Sequence, residues 1–154
     1  MRHTRTYEIL FGELSLETNT QILRNSLAVS ADIAKAWFQG RAPMKSRSDF
    51  EAKGKLGDEG CGCVYVYYSV ENGNTKESPL YVGQTGRGIK ARQHDITSPH
   101  NKKSWWKGWT HLRFLNIKVK IDRQILEFLL IVAPAPTENQ SPKSMCLDDF
   151  LKIH

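Results

Sequence analysis

"CVYVYYSVENGNTKESPLYVG", Cys63 to Gly83, decides how the rest of the chain is read. "VYVYYSV", Val64 to Val70, is almost wholly β-branched and aromatic, the chemistry that fits a pleated, half-buried surface. "ENGNTKESP" then supplies an Asn-Gly turn signal before a second apolar run, "LYVG". The two runs predict a hairpin, Val64 to Val70 paired with Leu80 to Gly83. Tyr65 and Tyr81 fall near opposing positions on it and can share a face.

Downstream of Gly83, "QTGRGIKARQHDI" reads as a glycine-bearing turn entering a short helix, and "HLRFLNIKVKI" alternates well enough for a third strand. Asp122 can cap "RQILEFLLIVA", a helix that must stop before Pro134 and Pro136. Upstream, "QILRNSLAVSADIAKAWF" spaces Ile22, Leu23, Leu27, Ile33, Ala36 and Trp37 at helical intervals. Thr20 is a possible cap there and Gly40 a stop, so the stretch reads as one or two helices. "GRAPMKSRSDFEAKGKLGDEG" has no period and reads as a linker or mobile loop. The expected architecture is α+β, a small three-stranded antiparallel sheet flanked by helices, with an N-terminal helical extension. Residues 1–59 form the extension and linker, 60–143 the core and 144–154 a tail.

A chain of 154 residues suits one domain with a proper core. Its longest apolar runs fall far short of the roughly 20 residues that cross a bilayer, and the N-terminus lacks a signal peptide's apolar stretch. A cytoplasmic protein with no membrane partner is expected. Cys61 and Cys63 are too close for an easy disulfide, Cys146 is alone, and "CGC" without a second cluster is a weak metal motif.

Charge is unevenly spread. Arg87 to Arg123 holds ten Lys or Arg against two acids, a balance of +8 in a chain whose net charge is +6. A solvated basic face would account for this. Within it, however, "NKKSWWKGW" interleaves cations with Trp105, Trp106 and Trp109, offering both phosphate neutralisation and flat stacking surfaces. Nucleic acid is the leading partner, and at least one of those tryptophans is expected in the core.

Glu127 lies between Leu126 and Phe128 in a helix with hardly another polar residue. Its carboxylate is costly to bury unless it pairs with Arg123 one turn back or holds a metal ion. A lone carboxylate completed by waters and a substrate phosphate suits Mg²⁺. Arg92, with Arg87 and Lys90 nearby, can fork across two phosphate oxygens or remain a surface arginine. The phenols of Tyr65 and Tyr81 are poor bases at neutral pH unless a cation such as Arg92 lowers their pKa, and either can instead be a packed strand aromatic. Gly83 either lets a ligand approach the backbone or marks the turn.

"CVY" at Cys63 to Tyr65 and "YVG" at Tyr81 to Gly83 resemble the paired signatures of the GIY-YIG nucleases. Arg92 in the next helix, Glu127 in a later apolar one, and Pro136 and Asn139 beyond it follow in that family's order. The resemblance spans Gly60 to Gln140. The sequence has Cys63 and Val64 where the family has Gly and Ile, and a longer hairpin loop. The resemblance implies a Mg²⁺- or Mn²⁺-dependent DNA endonuclease, restriction or defence related, with a one-metal mechanism. Glu127 would be the metal ligand and Arg92 would hold the scissile phosphate. Tyr65 would position or deprotonate the attacking water, with Tyr81 hydrogen-bonding in the site. Gly83 and Asn139 would support it. Ile96 occupies the place where many members carry His or Tyr, so His94 and His100, which flank it, are the candidate general bases. Arg87, Lys90, Lys102, Lys103 and Lys107 would contact DNA, double-stranded by expectation, with the protein a monomer or homodimer. The competing reading is a non-catalytic nucleic-acid-binding protein with a degenerate site. A ββα-metal site from His94, His100, Asn101 and His111 fails on spacing.

Overall fold

The computed structural model describes residues 16–52, 61–70, 78–95 and 97–132. The hairpin turn, the linker at 53–60, Ile96, Pro134, Pro136, Asn139, Cys146 and the tail at 144–154 lie outside the described residues. The elements run α1 (Leu16–Arg41), β1 (Lys45–Ser46), α2 (Arg47–Ala52), β2 (Cys63–Ser69), β3 (Ser78–Thr85), α3 (Ile89–Gln93), 3₁₀ turns at Pro99–Lys102 and Ser104–Lys107, β4 (His111–Asn116) and α4 (Lys120–Val132). The fold is α+β, but the antiparallel sheet has four strands rather than three, in the order β1-β4-β2-β3. β1 escapes sequence reading because two residues cannot show an alternation: Lys45 and Ser46 pair with Leu112 and His111.

The described part of the stretch read as a linker, through Ala52, contributes a strand, a helix and core residues. Ser46 Oγ accepts the Asp49 N–H at 3.1 Å, Arg47 pairs with Glu51 at 2.9 Å, and together they start and brace α2. That turn plants Phe50, which is 1% exposed, against the sheet. The capping pattern Ser46-x-x-Asp49 was the available signal. Gly40 likewise does not stop α1. The helix runs through it to Arg41, and Arg113 Nη1 donates to the carbonyls of Ala42 (2.7 Å) and Gln39 (3.4 Å), satisfying the helix end with a cation.

β2 is covered on both faces, and the period-two alternation sorts its residues. Val64, Val66 and Tyr68 pack with Val82 against Phe38 and Ala42 of the α1 end and against Leu126 and Leu130 of α4. Cys63, Tyr65 and Tyr67 point the other way, toward Phe50, Ile89, Trp105, Trp109 and Leu112. Tyr65 stands opposite Gly83 and Tyr67 opposite Tyr81, so Tyr65 and Tyr81 are diagonal neighbours on one face. β4 ends at Asn116, short of the alternation read through Ile121. Arg123, 6% exposed, folds back to donate to the carbonyls of Ile117 (2.9 Å) and Lys118 (2.8 Å) and to Gln84 Oε1 (3.3 Å). This ties the turn before α4 onto β3. Among the described residues no helix is long and apolar enough to cross a membrane.

Phe50→Ala is expected to cost about 3–5 kcal/mol of unfolding free energy in a denaturant titration. A true linker residue would change it by less than about 0.5 kcal/mol.

Candidate active site at the edge of strand β3

Gly83 lies inside β3, which continues to Thr85, so it does not mark the strand's end. A Cβ at this position would sit 2.6 Å from Tyr65 Oη and 2.8 Å from Tyr81 Cε1. The glycine makes room for the phenol across the ladder. With that space, the rings of Tyr65 and Tyr81 lie 6.4 Å apart at 29°. The turn after β3 is set by the Arg87 N–H donating to Thr85 Oγ1 at 3.1 Å, and α3 then carries Arg92 back over the phenols. Arg92 Nε donates to Tyr65 Oη at 3.5 Å, a long contact.

The two 3₁₀ turns close this face. His100, 6% exposed, meets Tyr81 edge-on at 4.6 Å and Tyr65 at 6.3 Å. Trp105 stacks on Tyr81 at 5.1 Å and 14°. Trp105 and Trp109 are therefore core residues, while Trp106 stays half-buried.

Glu127 approaches from α4. It is half-buried and forms no ion pair with Arg123, whose guanidinium is spent on carbonyls and Gln84. The Gln84 backbone N–H bonds to its carboxylate. β3 is an edge strand with β2 on one side only, which leaves such outward amides for α4 to use. Burial raises the Glu127 pKa, and the Gln84 hydrogen bond opposes that rise.

The electrostatics revise one expectation. Burial drives the Tyr65 pKa well above the usual phenol value, and the hydrogen bond from Arg92 only partly offsets it. Tyr81 is raised by burial and then by the Glu127 charge, with Arg92 acting the other way. Both phenols hold their protons at neutral pH and are therefore not bases there. His100 is lowered to about 4 by burial, then by Arg92 and Lys103, so its imidazole is neutral. Tyr81 feels the carboxylate and the guanidinium, yet these two form no ion pair with each other among the described residues.

Tyr65, Tyr81, Gly83, Arg92, His100 and Glu127 thus gather at one edge. Other candidates do not join them. His94 is exposed at the end of α3 and makes no side-chain contact with this group among the described residues. Lys90, expected at a DNA surface, is buried: its ammonium donates to the Phe50 carbonyl and lies 4.1 Å from that ring. Arg87 is exposed but matched to Asp95 at 2.7 Å. Lys102, Lys103 and Lys107 are exposed on the 3₁₀ turns beside His100. Two supporting groups escaped sequence reading: the Gln84 amide, a backbone group, and Arg47, which stacks over Trp109 at 4.6 Å and donates to the carbonyls of Trp106, Lys107 and Trp109. No group of three or more His, Cys, Asp or Glu that could hold a metal is present among the described residues. Glu127 alone, a carboxylate without a cationic partner among the described residues, fits a hard cation that keeps most of its waters.

Gly83→Ala is expected to destabilise by about 1–3 kcal/mol, because the new methyl must displace Tyr65 or Tyr81. Much of that loss should be recovered in the double variant Gly83→Ala, Tyr65→Leu, as a double-mutant cycle in urea would measure. Because His100 takes up its proton near pH 4 when folded and near 6.5 when unfolded, stability is lost as pH falls through that window. The loss is on the order of 3 kcal/mol, and His100→Gln should remove it, as thermal melts across pH would record.

Compared with models of known protein families, with curated proteins and with solved structures, the chain shows no significant match.

Proposed function

We propose that the chain is a metal-dependent endonuclease that hydrolyses phosphodiester bonds of DNA in the manner of the GIY-YIG nucleases. The observation that carries this reading is the gathering of Tyr65, Tyr81, Arg92 and Glu127 at the β3 edge, with carboxylate and guanidinium both acting on Tyr81 but not paired to each other. Hydrolysis of a phosphodiester needs a neutralised nonbridging oxygen, a positioned water and stabilisation of the leaving oxygen. Arg92 is permanently charged and forks onto phosphate oxygens. Tyr65 and Tyr81, protonated at neutral pH, donate hydrogen bonds to the reacting phosphoryl oxygens or to the water. His100 is neutral at pH 7 and can accept a proton, although a pKa of about 4 makes it a weak base. Glu127 would hold Mg²⁺ or Mn²⁺, which when bound supplies Lewis-acid polarisation and neutralises charge on the leaving oxygen.

Lys102, Lys103 and Lys107 give the strand a positively charged path beside the site, and Lys103 is close enough to act on His100. The free thiols of Cys61 and Cys63 suit a reducing compartment, and we place the reaction in the cytosol.

Nicking of supercoiled plasmid is expected with Mg²⁺ and not with EDTA. Glu127→Ala and Arg92→Ala should each lower the rate by at least about 100-fold while retaining DNA binding. Binding by the wild type with no metal-dependent cleavage would overturn the enzyme and leave a nucleic-acid-binding protein. Lys103→Ala should weaken binding and reduce the salt slope by about 1, read from affinities at several salt concentrations.

A further inference from the structure

Of the three tryptophans in "NKKSWWKGW", Trp106 is the one left half-buried, packed against the core from its edge rather than within it. Its ring lies 5.4 Å from Tyr67 at 73°, 5.7 Å from Trp105 at 72°, 6.1 Å from Trp109 at 53° and 6.3 Å from His100 at 36°. None of these contacts is a parallel stack, whereas the Tyr81 ring is already covered by Trp105 at 14°. The four neighbours fix the orientation of the indole, and Arg47 clamps the turn that carries it by donating to the Trp106 carbonyl at 3.5 Å and the Lys107 carbonyl at 3.3 Å. Exposed Lys103 and Lys107 bracket it along the chain. A braced, half-buried aromatic ring flanked in sequence by two exposed lysines and beside a site histidine combines the two elements of a nucleotide subsite, a stacking surface and phosphate neutralisation.

We infer that Trp106 is a stacking subsite for one unpaired nucleobase adjoining the phosphate held at Arg92. Within a duplex both faces of a base are covered by its neighbours, so an indole can stack only on a base that has left the helix or lies at a gap, nick or branch. The inference rests on the nuclease reading for the identity of the phosphate. It narrows the substrate to duplex DNA carrying a locally unpaired nucleotide.

Equilibrium binding in EDTA tests it without requiring cleavage. The probes are a labelled fully paired duplex and the same duplex with a short single-stranded gap. The wild type should prefer the gapped probe, the preference should survive in Trp106→Phe, and it should fall by roughly 5- to 100-fold in Trp106→Leu, which keeps an apolar side chain without an aromatic face. Lys103→Ala should weaken both probes equally. Equal wild-type affinity for the two probes, or a Leu variant as selective as the Phe variant, would overturn the subsite. A gap preference that behaves as expected, in a protein that does not nick with Mg²⁺, would leave the subsite standing and overturn the nuclease reading instead.

Discussion

The cross-strand pair of Tyr65 and Gly83 is the constraint from which the candidate site follows. A central strand buried on both faces has no room for a tyrosine over its neighbour unless that neighbour lacks a side chain, and the close approach of Tyr65 Oη to the Gly83 position meets that condition. Once the phenol lies flat across β3, Tyr81 falls beside it, and Arg92 on α3 comes within reach. A one-residue slip of the hairpin would send Tyr65 to the α1–α4 face and dissolve the group.

Charge organisation follows from the sheet order. Since β3 is an edge strand, its outward amides are open to α4, and Gln84 receives Glu127 there. Arg123, which could have neutralised that carboxylate, is instead consumed in holding the turn at Ile117 and Lys118. Among the described residues Glu127 therefore has no ion-pair partner, and burial raises its pKa. Arg92 stands with the phenols, donating to buried Tyr65 and opposing the effect of the carboxylate on half-buried Tyr81. On the proposed reading, an anionic substrate would meet Arg92 and a cation would meet Glu127.

Much of this was legible in the chain because it depends on local patterns. The β-branched and aromatic run at Val64 to Val70 and the apolar helix around Glu127 announce themselves by period and composition. What escaped depends on contacts between distant segments. β1 is too short to have a pattern, and α2 hid in a glycine-rich, charged stretch whose capping Ser46 was outweighed. Lys90 looked like a surface cation because neither periodicity nor charge reveals that Phe50 covers it. His100 could not be separated from His94 until the 3₁₀ turns folded one onto Tyr81 and left the other at the helix end. Whether Arg92 or burial governs the phenols was open in the sequence for a related reason: the sequence does not show how deeply Tyr65 lies, and burial is the larger effect.

Paramagnetic broadening by Mn²⁺ in a two-dimensional amide spectrum tests most directly whether the β3 edge and Glu127 form one cation site. Selective broadening of the Gln84, Thr85 and Glu127 amides at low metal concentration, absent in Glu127→Gln, is the expected result. Broadening centred elsewhere, or unchanged by that substitution, would contradict the placement of the cation and with it the chemistry assigned to this edge.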